Sequence, residues 1–276
     1  MNLVMQQCTG RHPAAGANAP AAVRGLSIQV QAGEQVAVIG PSGAGKTTLL
    51  HLMACALTPV QGRLSLNGQD PWAQSAAGLR ALRKALFLAP QVPPLPPRQR
   101  VVTAVLAGCL PQWGAWRSLK NLFYPQDIPA AYAALKQFDL GEKIFERVDR
   151  LSGGERQRVG LARSLVCGAS LWLVDEPLSA LDPVRASQAM NTLTESARSR
   201  EATLVCTLHQ VDMALKHFPR IVGLRGGELA FDLPAAQVTT ELLEDLYAQH
   251  LEELHSPVPL DRPAAAQPAP VAMHCR

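Results

Sequence analysis

Nine consecutive residues, Gly40-Pro41-Ser42-Gly43-Ala44-Gly45-Lys46-Thr47-Thr48, carry the first chemistry legible in the chain. They follow a strand-like apolar run, Gln35-Val36-Ala37-Val38-Ile39, and lead into an apolar helix expected to begin at Leu49. The G-x-x-x-x-G-K-T spacing suits a polyphosphate anion. Gly40, Gly43 and Gly45 permit turns that aim backbone N–H groups at the anion, and the helix N-terminus adds partial positive charge. Lys46 reaches the β- and γ-phosphates, and the Thr47 hydroxyl can ligate Mg2+. Further on, the run Leu171-Trp172-Leu173-Val174 ends in Asp175-Glu176. A buried strand ordinarily avoids adjacent carboxylates. The pair therefore points to a cation and a reacting water, with Asp175 on Mg2+ through water and Glu176 polarising the water for attack. The competing reading is an acid pair at a helix start.

A second anion site is suggested by Leu151-Ser152-Gly153-Gly154-Glu155, followed by Arg156-Gln157-Arg158. A serine hydroxyl and glycine amides at a helix N-terminus can hold a phosphate; alternatively the segment is a turn with Glu155 in the first helical turn. With these residues the chain resembles the ATP-binding cassette family over residues 26–250. The resemblance implies ATP hydrolysis with ATP and Mg2+ as cofactors, and two cassettes paired head to tail. Ser152, Gly153, Gly154 and Glu155 of one copy would then meet the γ-phosphate held by Lys46 of the other. It further implies that Gln91 contacts Mg2+ and the attacking water, with Leu95 and Pro97 at the usual offsets and Pro90 replacing an aromatic or polar residue. Ser179-Ala180-Leu181-Asp182 matches the family's D-loop, which places Asp182 at the nucleotide, and His209 matches the histidine that bonds the γ-phosphate. The chain departs at the adenine-stacking tyrosine, where it offers only Arg11-His12-Pro13; His12 or Arg11 is the candidate there.

Finer resemblance points to the bacterial phosphonate importer ATPases. It rests on Val105-Leu106-Ala107-Gly108, Trp116-Arg117-Ser118-Leu119, Leu122-Phe123 and Asp127. It rests also on Leu208-His209-Gln210-Val211-Asp212-Met213-Ala214, Ile221 to Gly227 and Phe231-Asp232. What it implies is uptake of phosphonate, phosphite or hypophosphite through permease subunits and, indirectly, a periplasmic solute-binding protein, with the chain peripheral on the cytoplasmic face of the inner membrane; an importer for another solute or an exporter is the nearer alternative. Trp116, Leu119, Leu122 and Phe123 either close a small helical core or form a groove for the permease.

The elements that must position these residues alternate between strand and helix. Strand patterns at 63–68, 85–89, 171–174, 202–208, 221–224 and 228–231 are interleaved with helices near 155–166, 183–199 and 240–249. The expected fold class is α/β, a P-loop NTPase (RecA-like) core. It has a mostly parallel sheet, a small antiparallel β portion and an inserted helical subdomain over about 92–150. Residues 1–255 form one domain in this reading, and the Pro/Ala-rich 256–276 a flexible tail. Hydrophobic residues make up 47% of 276, enough for a substantial core, and no apolar run approaches the length of a membrane span. Six scattered cysteines without a CxxC pair exclude a disulfide framework or zinc site of familiar spacing. A net charge of +4, without basic clustering or interleaved aromatics, argues against nucleic acid. A guanine-nucleotide switch lacks its D-x-x-G and N-K-x-D segments, and the chain has no room for the long coiled-coil arms or tandem cassettes of soluble repair ATPases.

Overall fold

Val36 and Val38 face one hydrophobic core while Ala37 and Ile39 face another, so the strand leading to the phosphate loop is buried on both sides. The same alternation recurs at Leu171 and Leu173 against Trp172 and Val174. This two-sided burial explains why these strands read as continuous apolar runs. A computed structural model describes residues 1–12 and 19–248, with only the backbone at Leu122.

In chain order the elements are β1 (Leu3–Gly10), β2 (Val23–Val30), β3 (Gln35–Ile39), α1 (Lys46–Met53), β4 (Gln61–Leu66), α2 (Ala76–Lys84) and β5 (Leu86–Ala89). There follow α3 (Val101–Leu106), α4 (Ala115–Phe123), α5 (Ile128–Lys136), α6 (Gly153–Val166), β6 (Leu171–Asp175) and α7 (Pro183–Ser199). The described chain ends with β7 (Thr203–Thr207), α8 (Val211–His217), β8 (Arg220–Arg225), β9 (Glu228–Pro234) and α9 (Thr240–Leu246). A six-stranded sheet has the order β5-β6-β7-β3-β8-β9. Its first five strands run parallel, and β9 pairs antiparallel with β8. The ends of β3, β6 and β7 therefore open on one edge, where loops of a parallel sheet gather ligands. A smaller antiparallel sheet, β2-β1-β4, shares the second core with α1. Residues of α3, α5, α6, α7 and α9 fill the opposite core.

The expected α/β class, largely parallel sheet and antiparallel portion are all present. Three features differ from the expectation. The first strand is β1 rather than β3: Gln7 has φ 50° and the β1–β2 register shifts on either side of Cys8, which breaks the alternation that marks a strand. Helix α1 begins at Lys46, three residues before the expected Leu49, because Gly45 in a left-handed conformation (φ 98°) starts the helix inside the loop. Helix α2 has no counterpart among the expected elements; it buries no residue completely, and is begun by the Ser75 hydroxyl accepting the Gly78 N–H. Of the four residues expected either to close a helical core or to face a permease, Trp116 is 79% exposed, Leu119 53% and Phe123 70%. They do not close a core; the Leu122 side chain, Pro13 and the 256–276 tail lie outside the described residues.

Candidate active site

The phosphate loop turns sharply at two glycines for different steric reasons. A Cβ on Gly40 (φ 150°) would lie 2.1 Å from the Leu224 carbonyl oxygen, and one on Gly45 (φ 98°) 2.2 Å from that of Ala22. No side chain fits either position. The buried Lys46 folds back over the loop, its Nζ donating to the Gly40 oxygen at 2.7 Å and the Pro41 oxygen at 3.2 Å. Thr47 is half-buried at the start of α1 and Thr48 is buried. Pro41 and Ala44 close a turn through the Ala44 N–H and Pro41 oxygen, while Ser42 and Gly43 lie at its exposed rim.

Across the sheet edge, Asp175 ends β6 and Glu176 follows in a left-handed conformation, φ 46°. A non-glycine residue there costs about 1–2 kcal/mol, which its surroundings must offset. Thr207, beside Asp175 in the parallel ladder, donates its hydroxyl to Asp175 Oδ1 at 2.6 Å. The Glu176 N–H donates to the same hydroxyl oxygen at 3.0 Å and to the Thr207 carbonyl at 3.2 Å. From α6, the Gln157 amide donates to the Glu176 carbonyl at 3.4 Å. The Glu176 carboxylate receives Gln91 Nε2 at 2.7 Å on one oxygen and His209 Nε2 at 2.6 Å on the other. Burial pushes this carboxyl up most strongly of any single influence. The His209 hydrogen bond, with the charges of His209 and Lys46, outweighs it and holds the group below the usual carboxylate range. The Gln91 loop is seated on α6, since a Cβ on Gly160 would come 2.6 Å from Pro93.

The other expected site residues form a separate group at two helix N-termini. Ser152 begins α6 in a capping box: its hydroxyl accepts the Glu155 N–H at 3.3 Å, and Glu155 accepts the Ser152 N–H at 2.8 Å. Glu155 thus lies in the first turn of a helix start, and Ser152 and Gly153 are exposed at that helix end. A Cβ on Gly154 would lie 2.7 Å from the Ala180 carbonyl, which brings the Ser179–Asp182 loop against it. Lys143 donates to Glu155 at 2.5 Å and this bond, foremost, pulls the Glu155 carboxyl down to about 2. Asp182 accepts the Arg185 N–H at 3.0 Å and so caps α7. Arg11 and His12 are exposed just beyond β1.

The structure thus joins Gln91, Asp175, Glu176 and His209 through one hydrogen-bonded group that also contains Thr207 and Gln157, neither of which the sequence singled out. The one available signal for Thr207 was a polar residue inside the apolar run Leu204-Val205-Cys206-Thr207-Leu208. Among the described residues no cluster of three His, Cys, Asp or Glu forms a metal site. Thr47, Asp175 and the side-chain oxygen of Gln91 are each hard oxygen donors. That donor set fits Mg2+, which keeps water and phosphate oxygens around it.

A family model described as "ABC transporter" matches residues 23–179. The chain is 66% identical to the phosphonates import ATP-binding protein of Polaromonas sp. and covers 100% of both chains. It is 64% identical to the corresponding protein of Albidiferax ferrireducens, again covering 100% of both. A third relative of the same description, from Pseudomonas fluorescens, is 50% identical over 91% of this chain and 94% of its own. Among solved structures, a dimeric ATP-binding cassette in a post-hydrolysis state with ADP and Pi superposes with a TM-score of 0.71 at 24% identity. That match covers 84% of this chain and 98% of the other, and shows the fold. A bacterial Atm1-family ABC exporter with ATP bound gives 0.72 at 26% identity, covering 91% of this chain and 42% of its own. Matched along its whole length at these identities, and over more than half of it by the family's own model, the chain belongs to the ABC transporter family.

Proposed function

We propose that the chain is the ATP-hydrolysing subunit of an ABC importer that takes up phosphonate or a related reduced-phosphorus anion such as phosphite or hypophosphite. The observation that carries the catalytic part is the Glu176 carboxylate, held by Gln91 at 2.7 Å and His209 at 2.6 Å across the sheet edge from the Lys46 loop. The amides of the Gly40–Thr48 loop and Lys46 bind the ATP phosphates. Thr47, Asp175 and Gln91 would hold Mg2+, which would supply charge neutralisation for the bound phosphates. Glu176 orients and polarises the attacking water, and His209 bonds the γ-phosphate. Ser152, Gly153, Gly154, Glu155 and Asp182 serve the nucleotide of a second copy, a reading supported by their grouping at two helix N-termini and by the dimeric cassette of the same fold. The solute reading is supported by relatives 66% and 64% identical whose description is phosphonate import.

The exposed Trp116, Leu119 and Phe123 on α4 support docking onto permease subunits, and a peripheral position on the cytoplasmic face of the inner membrane is part of the same reading. No described helix is long and apolar enough to cross a membrane. The solute-binding protein acts only through the permease. Glu176→Gln is expected to keep ATP binding and accumulate an ATP-bound dimer on gel filtration; rapid turnover by that variant would remove Glu176 from catalysis. In the reconstituted transporter, phosphonate-loaded binding protein is expected to stimulate ATPase activity. Stimulation by an unrelated solute alone overturns the solute reading and leaves the ATPase reading standing.

A further inference from the structure

We propose that Thr207 is the positioning residue of the acid pair, one hydroxyl that fixes Asp175 and Glu176 together. This rests on the reading of Glu176 as the group that polarises the attacking water. The hydroxyl has a single proton, and it is directed at Asp175 Oδ1, 2.6 Å away. Its lone pairs are thereby turned toward the Glu176 N–H at 3.0 Å. The resulting chain runs from amide to hydroxyl to carboxylate in one direction, so each bond polarises the next. Thr207 is fully buried, and its neighbour Cys206 is fully buried as well, so water has no access to take over either bond. Glu176 is left-handed at φ 46°, a strained conformation that its N–H helps to hold through the hydroxyl at 3.0 Å and the Thr207 carbonyl at 3.2 Å, so losing the hydroxyl leaves only the longer bond. Relaxation would swing the carboxylate away from Gln91 and His209 while leaving the Lys46 loop, on another strand, in place. The hydroxyl therefore acts on turnover and not on Mg2+-free capture of the nucleotide by the Lys46 loop.

Thr207→Ser and Thr207→Ala test this, because both lack the methyl group and they differ by the hydroxyl alone. Steady-state ATPase kinetics, binding of a fluorescent ATP analogue in EDTA and thermal melting are measured on the full chain, with Glu176→Gln alongside. Thr207→Ser is expected to hold kcat within about threefold of the unsubstituted chain, and Thr207→Ala to fall at least about 30-fold below Thr207→Ser. Mg2+-free binding is expected to stay within about twofold in both. Equal kcat values for Ser and Ala overturn the proposal, and so does a parallel loss of analogue binding in Ala, which would assign Thr207 to packing. Thr207→Val, which keeps the shape and lacks the hydroxyl, replaces Ala with the same expectation if Ala does not fold. Fast turnover by Glu176→Gln would overturn the reading of Glu176 itself. Slow turnover there with equal Ser and Ala removes only the role of Thr207.

Discussion

The Tyr247 hydroxyl, just beyond α9, accepts the N–H of Gly40 at 3.1 Å. The ring is buried in the core shared by α6 and α7, while Gly40 opens the phosphate loop at the end of β3. The end of the described chain is thus bonded to the beginning of the nucleotide loop, 207 positions away. Tyr247→Phe keeps the packing and leaves a buried N–H without this acceptor. The expected cost is about 1–3 kcal/mol of stability, read by urea denaturation. A rise of several-fold in KM for ATP with little change in kcat is also expected, because the loop and not the acid pair is loosened.

Ser152 has two separable tasks, starting α6 and meeting phosphate. Ser152→Ala removes the cap and should lower stability by about 1 kcal/mol. Ser152→Asp restores the cap with a full negative charge, and is expected to keep the melting temperature of the unsubstituted chain. Both variants should fail to form an ATP-bound dimer in the Glu176→Gln background. A dimer formed by Ser152→Asp would mean that this helix end does not face a phosphate.

Glu155 makes a prediction about pH. Its carboxyl ionises at about 2 in the folded chain against 4.5 ordinarily, chiefly through Lys143. A depressed carboxyl contributes its stability in full above its unfolded pKa and loses it as pH falls through the folded value. The destabilisation caused by Lys143→Met should therefore be constant from pH 7 to about 4.5 and shrink between about 4.5 and 2. Denaturation midpoints of the two chains across that range check it; a gap that widened on acidification would contradict it.

The exposed face of α4 predicts a separation between the isolated cassette and the transporter. Trp116→Asp and Leu119→Asp alter exposed positions, so stability should stay within about 0.5 kcal/mol and the cassette's own ATPase activity should be unchanged. Co-purification with the permease subunits should be lost. Retained assembly would take the permease away from this face.

The chemistry was legible because it is carried by contiguous runs. The nine residues of the phosphate loop, the Asp175-Glu176 pair and the Leu151–Glu155 segment each bring their function in local spacing, and the strands under them are apolar without interruption. Gln91 and His209 were placed by resemblance, since a lone amide or imidazole at a strand end has no local pattern of its own. Strands β1 and β2 were not legible, because a bulge and a glycine disturb their alternation. The fate of Trp116, Leu119 and Phe123 was equally open, since an apolar stripe on a helix is the same in sequence whether a core or a partner covers it.

By itself, then, the sequence determined an α/β chain with a phosphate-binding loop, an acid pair and a second glycine-rich helix start. Tertiary structure decided which of these meet. Glu176 is closed between Gln91 and His209, 85 residues before it and 33 after, only because β5, β6 and β7 lie side by side in the sheet. Thr207 and Tyr247 gained their parts the same way, from strand register and helix docking that bring distant residues within one hydrogen bond. Ser152 and Glu155 cap α6, the helix whose Gln157 reaches the Glu176 carbonyl, and their own hydrogen bonds stay within the capping box and with Lys143. Local spacing specifies which groups a chain can present, and the packing of the sheet specifies which of them share a site.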